Sequence, residues 1–335
     1  MLRNIIRVFA VLAIVAGVAT MALGWWFSRP LPLPTSPYSF EVRSGMTLKS
    51  VAQELVGAGV LPFDLPLIAL ARLKHVDRSI KAGNYEITEG VTLRGLLAKL
   101  TQGDVTQSAL TIVEGSTFAD LAQALATSST ITKSAVALPP AELAQKIGVP
   151  AVAGANLEGW FFPDTYYFGT GSPDLALLVR ANRLMQRRLD AAWSRRAPDT
   201  PLRDAYSALI LASIVEKETG RASDRPLIAS VFINRLRLGM RLQSDPTVIY
   251  GLGASFDGNL RKRDLEADTP FNTYTREGLP PTPIALPGQA SLEAAVNPPK
   301  TDFLYFVSRG DGSSEFSANL SDHNRAVARF QAPKR

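Results

Sequence analysis

The sequence predicts an α+β protein: an apolar N-terminal helix, a small α+β module and a larger mixed α+β domain. Three observations predict this. At 335 residues the chain is long for one core and comfortable for two domains. Short strand-like pieces mix with amphipathic stretches, without the strand–helix–strand rhythm of a parallel sheet. The N-terminus carries an uncharged apolar run set off from the rest by prolines. With 46% hydrophobic and 20% charged residues, the chain is globular rather than disordered.

Composition removes several chemistries. There is no cysteine, so a disulfide framework, a zinc–cysteine site and a thiol nucleophile are excluded. His75 and His323 are the only histidines, too few for a histidine-based metal centre, and no metal or cofactor is expected. The net charge of +6 suits an anionic partner such as a membrane surface or an acidic polymer. The basic residues form no run of five or more, so no nucleic-acid arm is expected.

The elements follow in order. Val8–Phe27 is 20 residues without a charge, and at about 1.5 Å per residue it spans a hydrocarbon core of roughly 30 Å. Arg3 and Arg7 precede it, and Trp25, Trp26 and Phe27 suit an interfacial belt. Residues 1–29 therefore read as a cytoplasmic tip and transmembrane anchor. A cleaved signal peptide is the alternative, with a shorter apolar stretch and a better cleavage site than Ala22-Leu23-Gly24. Pro30, Pro32, Pro34 and Pro37 make 30–37 a stiff spacer.

Three stretches repeat: SGMTLKSVAQEL (44–55), EGVTLRGLLAKL (89–100) and EGSTFADLAQAL (114–125). In each, Gly makes a turn, Thr47, Thr92 or Thr117 caps a helix, and an apolar stripe faces inward. Strand-like pieces precede them at 38–42, 83–87 and 108–113. The segment 38–105 is similar to the LysM-like modules of cell-wall proteins.

Residues 106–335 form the larger domain. The aromatics Trp160, Phe161, Phe162, Tyr166, Tyr167 and Phe168 suit a core, and some of them a sugar-stacking platform. Helices are predicted over 172–196, 204–220 and 225–240, the second ended by Gly220 and the third opened by Pro226. Residues 240–253 read as polar and turn-rich, and 271–288 as a rigid Pro-rich loop presenting Asn272, Thr273 and Tyr274. Residues 302–324 read as strand, tight turn, strand and capped helix start. Ser321, Asp322 and His323 cannot form a hydrolase triad, because adjacent residues do not face one another and no Gly-x-Ser-x-Gly elbow is present.

Within LASIVEKETG (211–220), Leu211, Ile214 and Val215 define the most apolar helix face. Glu218 falls on that face, three and four residues on. Glu216 points roughly 160° away. A carboxyl at the end of an apolar stripe loses hydration, and its pKa rises toward what a general acid needs. The plainer alternative is a helix-end glutamate bonded to a nearby Arg or backbone amide.

The motifs EGWFFPDTYYF, ASIVEKET, VFINRLRLGMRLQSDPTVIYG, NTYTREGLPPTPI and NPPKTDFLYFV…NLSDHN stand in that order behind the apolar segment. Together they resemble the endolytic murein transglycosylase family, also called YceG-like or MltG, most densely over 156–324. The resemblance implies a single-pass inner-membrane protein with its C-terminal part in the periplasm. It implies a lytic transglycosylase, a lyase that cuts nascent peptidoglycan strands internally between N-acetylmuramic acid and N-acetylglucosamine. The products carry 1,6-anhydro ends, and strand elongation stops near the penicillin-binding synthases. The family's catalytic glutamate aligns with Glu218, leaving Glu216 as runner-up. Gln243, Asp245, Asn272 and Tyr274 are assigned to substrate positioning from motif position and side-chain chemistry. Two competing functions remain: a non-catalytic peptidoglycan-binding scaffold, and a hydrolytic muramidase with Asp245 as its second carboxylate.

Overall fold

The computed structural model describes residues 27–43, 45–104 and 107–331, with Gly17, Met21, Gly24 and Trp25. The membrane-spanning segment expected over Val8–Phe27 lies almost wholly outside these. Among the described residues no helix is long and apolar enough to cross a membrane. The chain is mixed α+β and divides into two compact units. One holds the described residues through Ser108 together with Tyr167–Ser172, and the other Ala109–Tyr166 and Pro173 onward.

In the first unit, β1 (Tyr38–Val42) and β2 (Gly83–Ile87) pair antiparallel, with Tyr38 opposite Ile87 and Val42 opposite Gly83. Three helices pack with them: α1 (Leu48–Gly57), α2 (Leu65–Leu73) and α3 (Leu93–Gln102). The core joins Val42, Tyr85 and Ile87 of the strands to Leu48, Val51, Leu55, Leu67, Leu96 and Leu100 of the helices. The caps are those the repeat predicts: Thr47 accepts from Ser50 N at 3.2 Å and Thr92 from Gly95 N at 3.1 Å. The glycine two residues before each cap sits at φ +85° (Gly45) or +89° (Gly90), the left-handed backbone that only glycine adopts freely. The stretch 30–37 makes contacts with this unit. Leu31 N donates to Val91 O at 2.7 Å, and the half-buried Leu31 and Leu33 pack on this core.

Strand β3 (Gln107–Thr111) pairs with β4 (Thr165–Gly169). The second unit opens with α4 (Phe118–Thr127), whose N-cap Thr117 forms a capping box with Asp120. Helix α5 (Pro140–Ile147) follows, then α6 (Asp174–Ser194). The core is built around α7 (Ala205–Glu218), flanked by α8 (Arg225–Arg237) and α11 (Gln289–Val296). Between α8 and α11 lie α9 (Asp245–Leu252), the short α10 (Lys262–Glu266) and the Pro-rich loop. A hairpin of β5 (Tyr305–Ser308) and β6 (Ser314–Ser317) leads to α12 (Leu320–Phe330), capped by Asn319.

One expectation changes and one is met. The segment 240–253 is not all turn, because Ser244-Asp245-Pro246 opens α9 with Pro in its first turn. The aromatic run is core: Trp160, Phe161, Phe162, Tyr166 and Phe168 are buried, and only Tyr167 is exposed.

Candidate active site

The middle of helix α7 is buried on every side. Ala208 to Val215 are all buried, Ala212 and Ser213 included, so the helix has no solvated face to contrast with an apolar one. Helix faces alone therefore cannot separate the two glutamates at its end, but their partners do. Glu216 Oε1 accepts from Arg225 Nη2 at 3.1 Å, and its Oε2 accepts from Gly288 N at 2.9 Å. Both carboxylate oxygens are committed to tying α7 to the start of α8 and to the end of the Pro-rich loop. Glu218, the last residue of α7, has one side-chain hydrogen bond among the described residues: Ser244 Oγ donates to its Oε1 at 2.5 Å.

Glu218 opens on a cleft of about 480 Å³ whose walls include Arg235, Gln243, Asp245, Tyr274, Tyr305 and His323. Burial pushes the Glu218 carboxyl up to about 7. The Ser244 hydrogen bond opposes that rise, the neighbouring Asp245 charge adds to it, and Arg235 opposes it. Near neutrality the side chain is therefore protonated about as often as not.

Each wall residue is positioned by its local chain. Ser244, 1% exposed, is the N-cap of α9. Its N–H donates to Thr273 Oγ1 at 3.0 Å, and its carbonyl accepts from Thr247 Oγ1 at 2.7 Å. Gln243 turns the chain into this cap at φ +50° and donates its N–H to Thr273 O at 3.1 Å. Tyr274 donates its hydroxyl to Asp245 Oδ1 at 2.6 Å. Burial and that bond raise the phenol's pKa, so it remains a donor.

Asn272 does not line the cleft. It is 0% exposed, and its Nδ2 donates to the carbonyls of Ala267 (2.6 Å), Leu265 (3.0 Å) and Asp264 (3.3 Å). Its Oδ1 accepts from Tyr274 N at 2.8 Å. Asn272 acts one step back, fixing the backbone from which Tyr274 projects. Thus Glu218, Gln243, Asp245 and Tyr274 come together, and Asn272 supports them from behind.

Sequence reasoning missed four participants. Ser244 is an ordinary N-cap until its hydroxyl is seen on Glu218. Arg235 is buried on α8, donating to Leu304 O (2.7 Å), Leu242 O (2.8 Å), Arg241 O (3.2 Å) and Gln243 Oε1 (3.3 Å). Its guanidinium lies 5.2 Å from the Tyr305 ring centroid. His323 stacks on the same Tyr305 ring, with centroids 5.1 Å apart and planes at 24°. Among the described residues, no three His, Cys, Asp or Glu side chains come together to hold a metal ion.

A second buried carboxyl, Glu158, lines a separate cavity of about 760 Å³ with Lys217 and Tyr250. Burial pushes it to about 7 as well. It accepts from Phe118 N at 2.9 Å and Tyr250 Oη at 3.1 Å, bracing α4 against α9.

The YceG-like family profile matches residues 40–329, nearly all of the described structure. The chain belongs to the YceG-like family. It is 31% identical over 313 residues to the endolytic murein transglycosylase of Bacillus subtilis (strain 168), covering 88% of this chain and 85% of that protein. The endolytic murein transglycosylase of Streptococcus pneumoniae serotype 2 (strain D39 / NCTC 7466) is 29% identical over 318 residues. That match covers 86% of this chain, which spans 57% of the pneumococcal protein. The crystal structure of a YceG-like protein from Listeria monocytogenes superposes with a TM-score of 0.54 at 28% identity, covering 87% of this chain and 98% of that one. All but one (Gln331) of the residues lining the Glu218 cleft, drawn from α7, α8, α9, the Pro-rich loop, β5 and α12, lie inside the span that the YceG-like profile matches.

Proposed function

We propose that this YceG-like chain is a peptidoglycan lytic transglycosylase, a lyase that cuts glycan strands internally, with Glu218 as its general acid and base. Its relatives carry the name endolytic murein transglycosylase over most of the chain. The single observation that carries the assignment of Glu218 is a carboxyl set in a cleft with its pKa lifted to about 7 and only a serine hydroxyl bonded to it.

The chemistry balances with one carboxyl. Protonated Glu218 gives its proton to the glycosidic oxygen as the bond from muramoyl C1 to that oxygen breaks. The resulting carboxylate takes the proton of the muramoyl C6 hydroxyl, whose oxygen bonds to C1. A 1,6-anhydro end and a free 4-hydroxyl result, no water is consumed, and Glu218 ends protonated as it began. Because the nucleophile belongs to the substrate, its effective concentration is high and no second carboxylate has to activate water. Gln243, Asp245 and Tyr274 position the sugar, and Asn272 holds Tyr274.

The wider setting follows the same reading. The apolar N-terminal segment anchors the protein in the inner membrane with the C-terminal part in the periplasm, the module over 38–105 is LysM-like, and cleavage ends strands made by penicillin-binding synthases. A hydrolytic muramidase is the competing reading, favoured by Asp245 in the same cleft. The test is glycan cleavage by the full-length chain. Glu218→Gln removes the proton without changing shape, and loss of cleavage with unchanged circular dichroism is expected. Retained cleavage would end the assignment of Glu218.

A further inference from the structure

His323 enters the cleft with a fixed ring and one free polar atom. Asn319 caps α12 by accepting from Asp322 N at 3.0 Å, which sets His323 in the helix's first turns. Its ring stacks on Tyr305, whose own ring lies 5.2 Å from the Arg235 guanidinium. Nδ1 is buried and has no hydrogen-bond partner. His323 lines the cleft, and with Nδ1 buried, Nε2 is the ring nitrogen left to meet a ligand there.

This decides what the ring offers. Burial and the neighbouring Arg235 charge lower the imidazole's pKa, so it is neutral. A neutral imidazole has one N–H and one bare nitrogen. Buried N–H groups without an acceptor are rarer than under-satisfied acceptors, so the hydrogen belongs on Nε2. The cleft therefore receives a neutral donor that needs an acceptor oxygen. Leu320 lines the same cleft while 54% exposed, a largely open apolar surface. A donor next to a bare apolar patch fits a carbonyl that carries a methyl group.

We propose that His323, through Nε2–H, holds an amide carbonyl of the glycan substrate in the Glu218 cleft, with Leu320 covering the neighbouring methyl. This rests on the peptidoglycan reading above. The strand offers such a group from two sources, the 2-acetamido group of its sugars and the alanyl amides of its stem peptides. Nothing in the Glu218 chemistry requires His323. It is a substrate-contacting residue whose loss weakens binding before it slows the chemical step.

The test uses the full-length chain carrying Glu218→Gln, with affinity measured for short peptidoglycan strands in three forms: peptide-bearing, peptide-free, and peptide-free after N-deacetylation. His323→Phe keeps the stack on Tyr305 and removes the donor. His323→Gln returns an N–H near the Nε2 position and serves as the control for folding. One lost neutral hydrogen bond weakens binding about 5- to 10-fold. If the acetamido group is the ligand, His323→Phe shows that loss on the peptide-free strand and none after N-deacetylation, and His323→Gln restores most of it. If the peptide amide is the ligand, the loss appears on the peptide-bearing strand alone. Unchanged affinity of His323→Phe for all three forms, failure of His323→Gln to restore binding, or no binding of any strand by the parent would each overturn the proposal. Failure of the transglycosylase reading shows elsewhere, as cleavage that survives Glu218→Gln.

Discussion

Replacing Glu218 with glutamine should stabilise the protein, and by an amount that depends on pH. The carboxyl titrates at about 7 in the folded chain against an ordinary 4.5. The folded state therefore binds more protons than the unfolded state between those values, and stability falls as pH rises through that window. Below 4.5 the carboxyl is protonated in both states and the penalty vanishes. Above 7 the full 2.5 units apply, about 3 kcal/mol at 1.36 kcal/mol per unit. Glutamine never ionises, so it escapes the penalty while still accepting from Ser244. The stability gap between Glu218→Gln and the parent should widen by about 2.5 kcal/mol from pH 5 to pH 8. Glu158 titrates in the same window, but it is common to both proteins and cancels in the difference. The assay is urea unfolding at both pH values, followed by fluorescence of Trp160, which is buried in the same unit as Glu218. A gap that does not change with pH, or a variant less stable than the parent at pH 8, would refute the desolvated-acid account.

Three further outcomes follow from the same structure. Ser244→Ala removes the hydroxyl that favours the Glu218 carboxylate, so the alkaline limb of the pH–rate profile, set by Glu218 near 7, should move up by on the order of 1 unit while circular dichroism stays unchanged. Glu216→Gln should act opposite to Glu218→Gln: it leaves the Arg225 charge buried without its counter-ion and lowers stability by about 3 kcal/mol in denaturant titrations. Asn272→Ala strands three backbone carbonyls and the Tyr274 N–H in a buried loop, so a loss of about 2–4 kcal/mol is expected, read as a lower Tm together with reduced activity.

Much of the fold in both units was legible because its signals are local. Thr47, Thr92 and Thr117 cap their helices as the Gly-x-Thr repeat implies, and the hairpin before Asn319 follows from a Gly-Asp-Gly turn between two β-prone runs. Ser244-Asp245-Pro246 was an equally local helix start, obscured by the polar residues around it. The site is another matter. Amphipathic reasoning reached Glu218, and Leu211, Ile214 and Val215 are buried as it expects, but Ala212 and Ser213 on the opposite side are buried too, so the face alone does not separate the two glutamates. What separates Glu218 from Glu216 is Arg225 and Gly288 on one carboxylate and Ser244 on the other, and these come from three different segments. Arg235, Tyr305 and His323 were likewise invisible, because Arg235 is bonded to Leu304, 69 residues on. Asn272 shows the converse error: an amide in a rigid loop suits a sugar, but this one is consumed by its own loop.

The central claim is that Glu218 transfers a proton without activating water, and the mass of the products tests it most directly. The full-length chain would be incubated with purified peptidoglycan beside the Glu218→Gln chain, and the released saccharides weighed by mass spectrometry. Ends one water lighter than hydrolysis products, present with the parent and absent with Glu218→Gln, are predicted. Reducing ends of normal mass would contradict the account and make Asp245 the carboxylate to replace next.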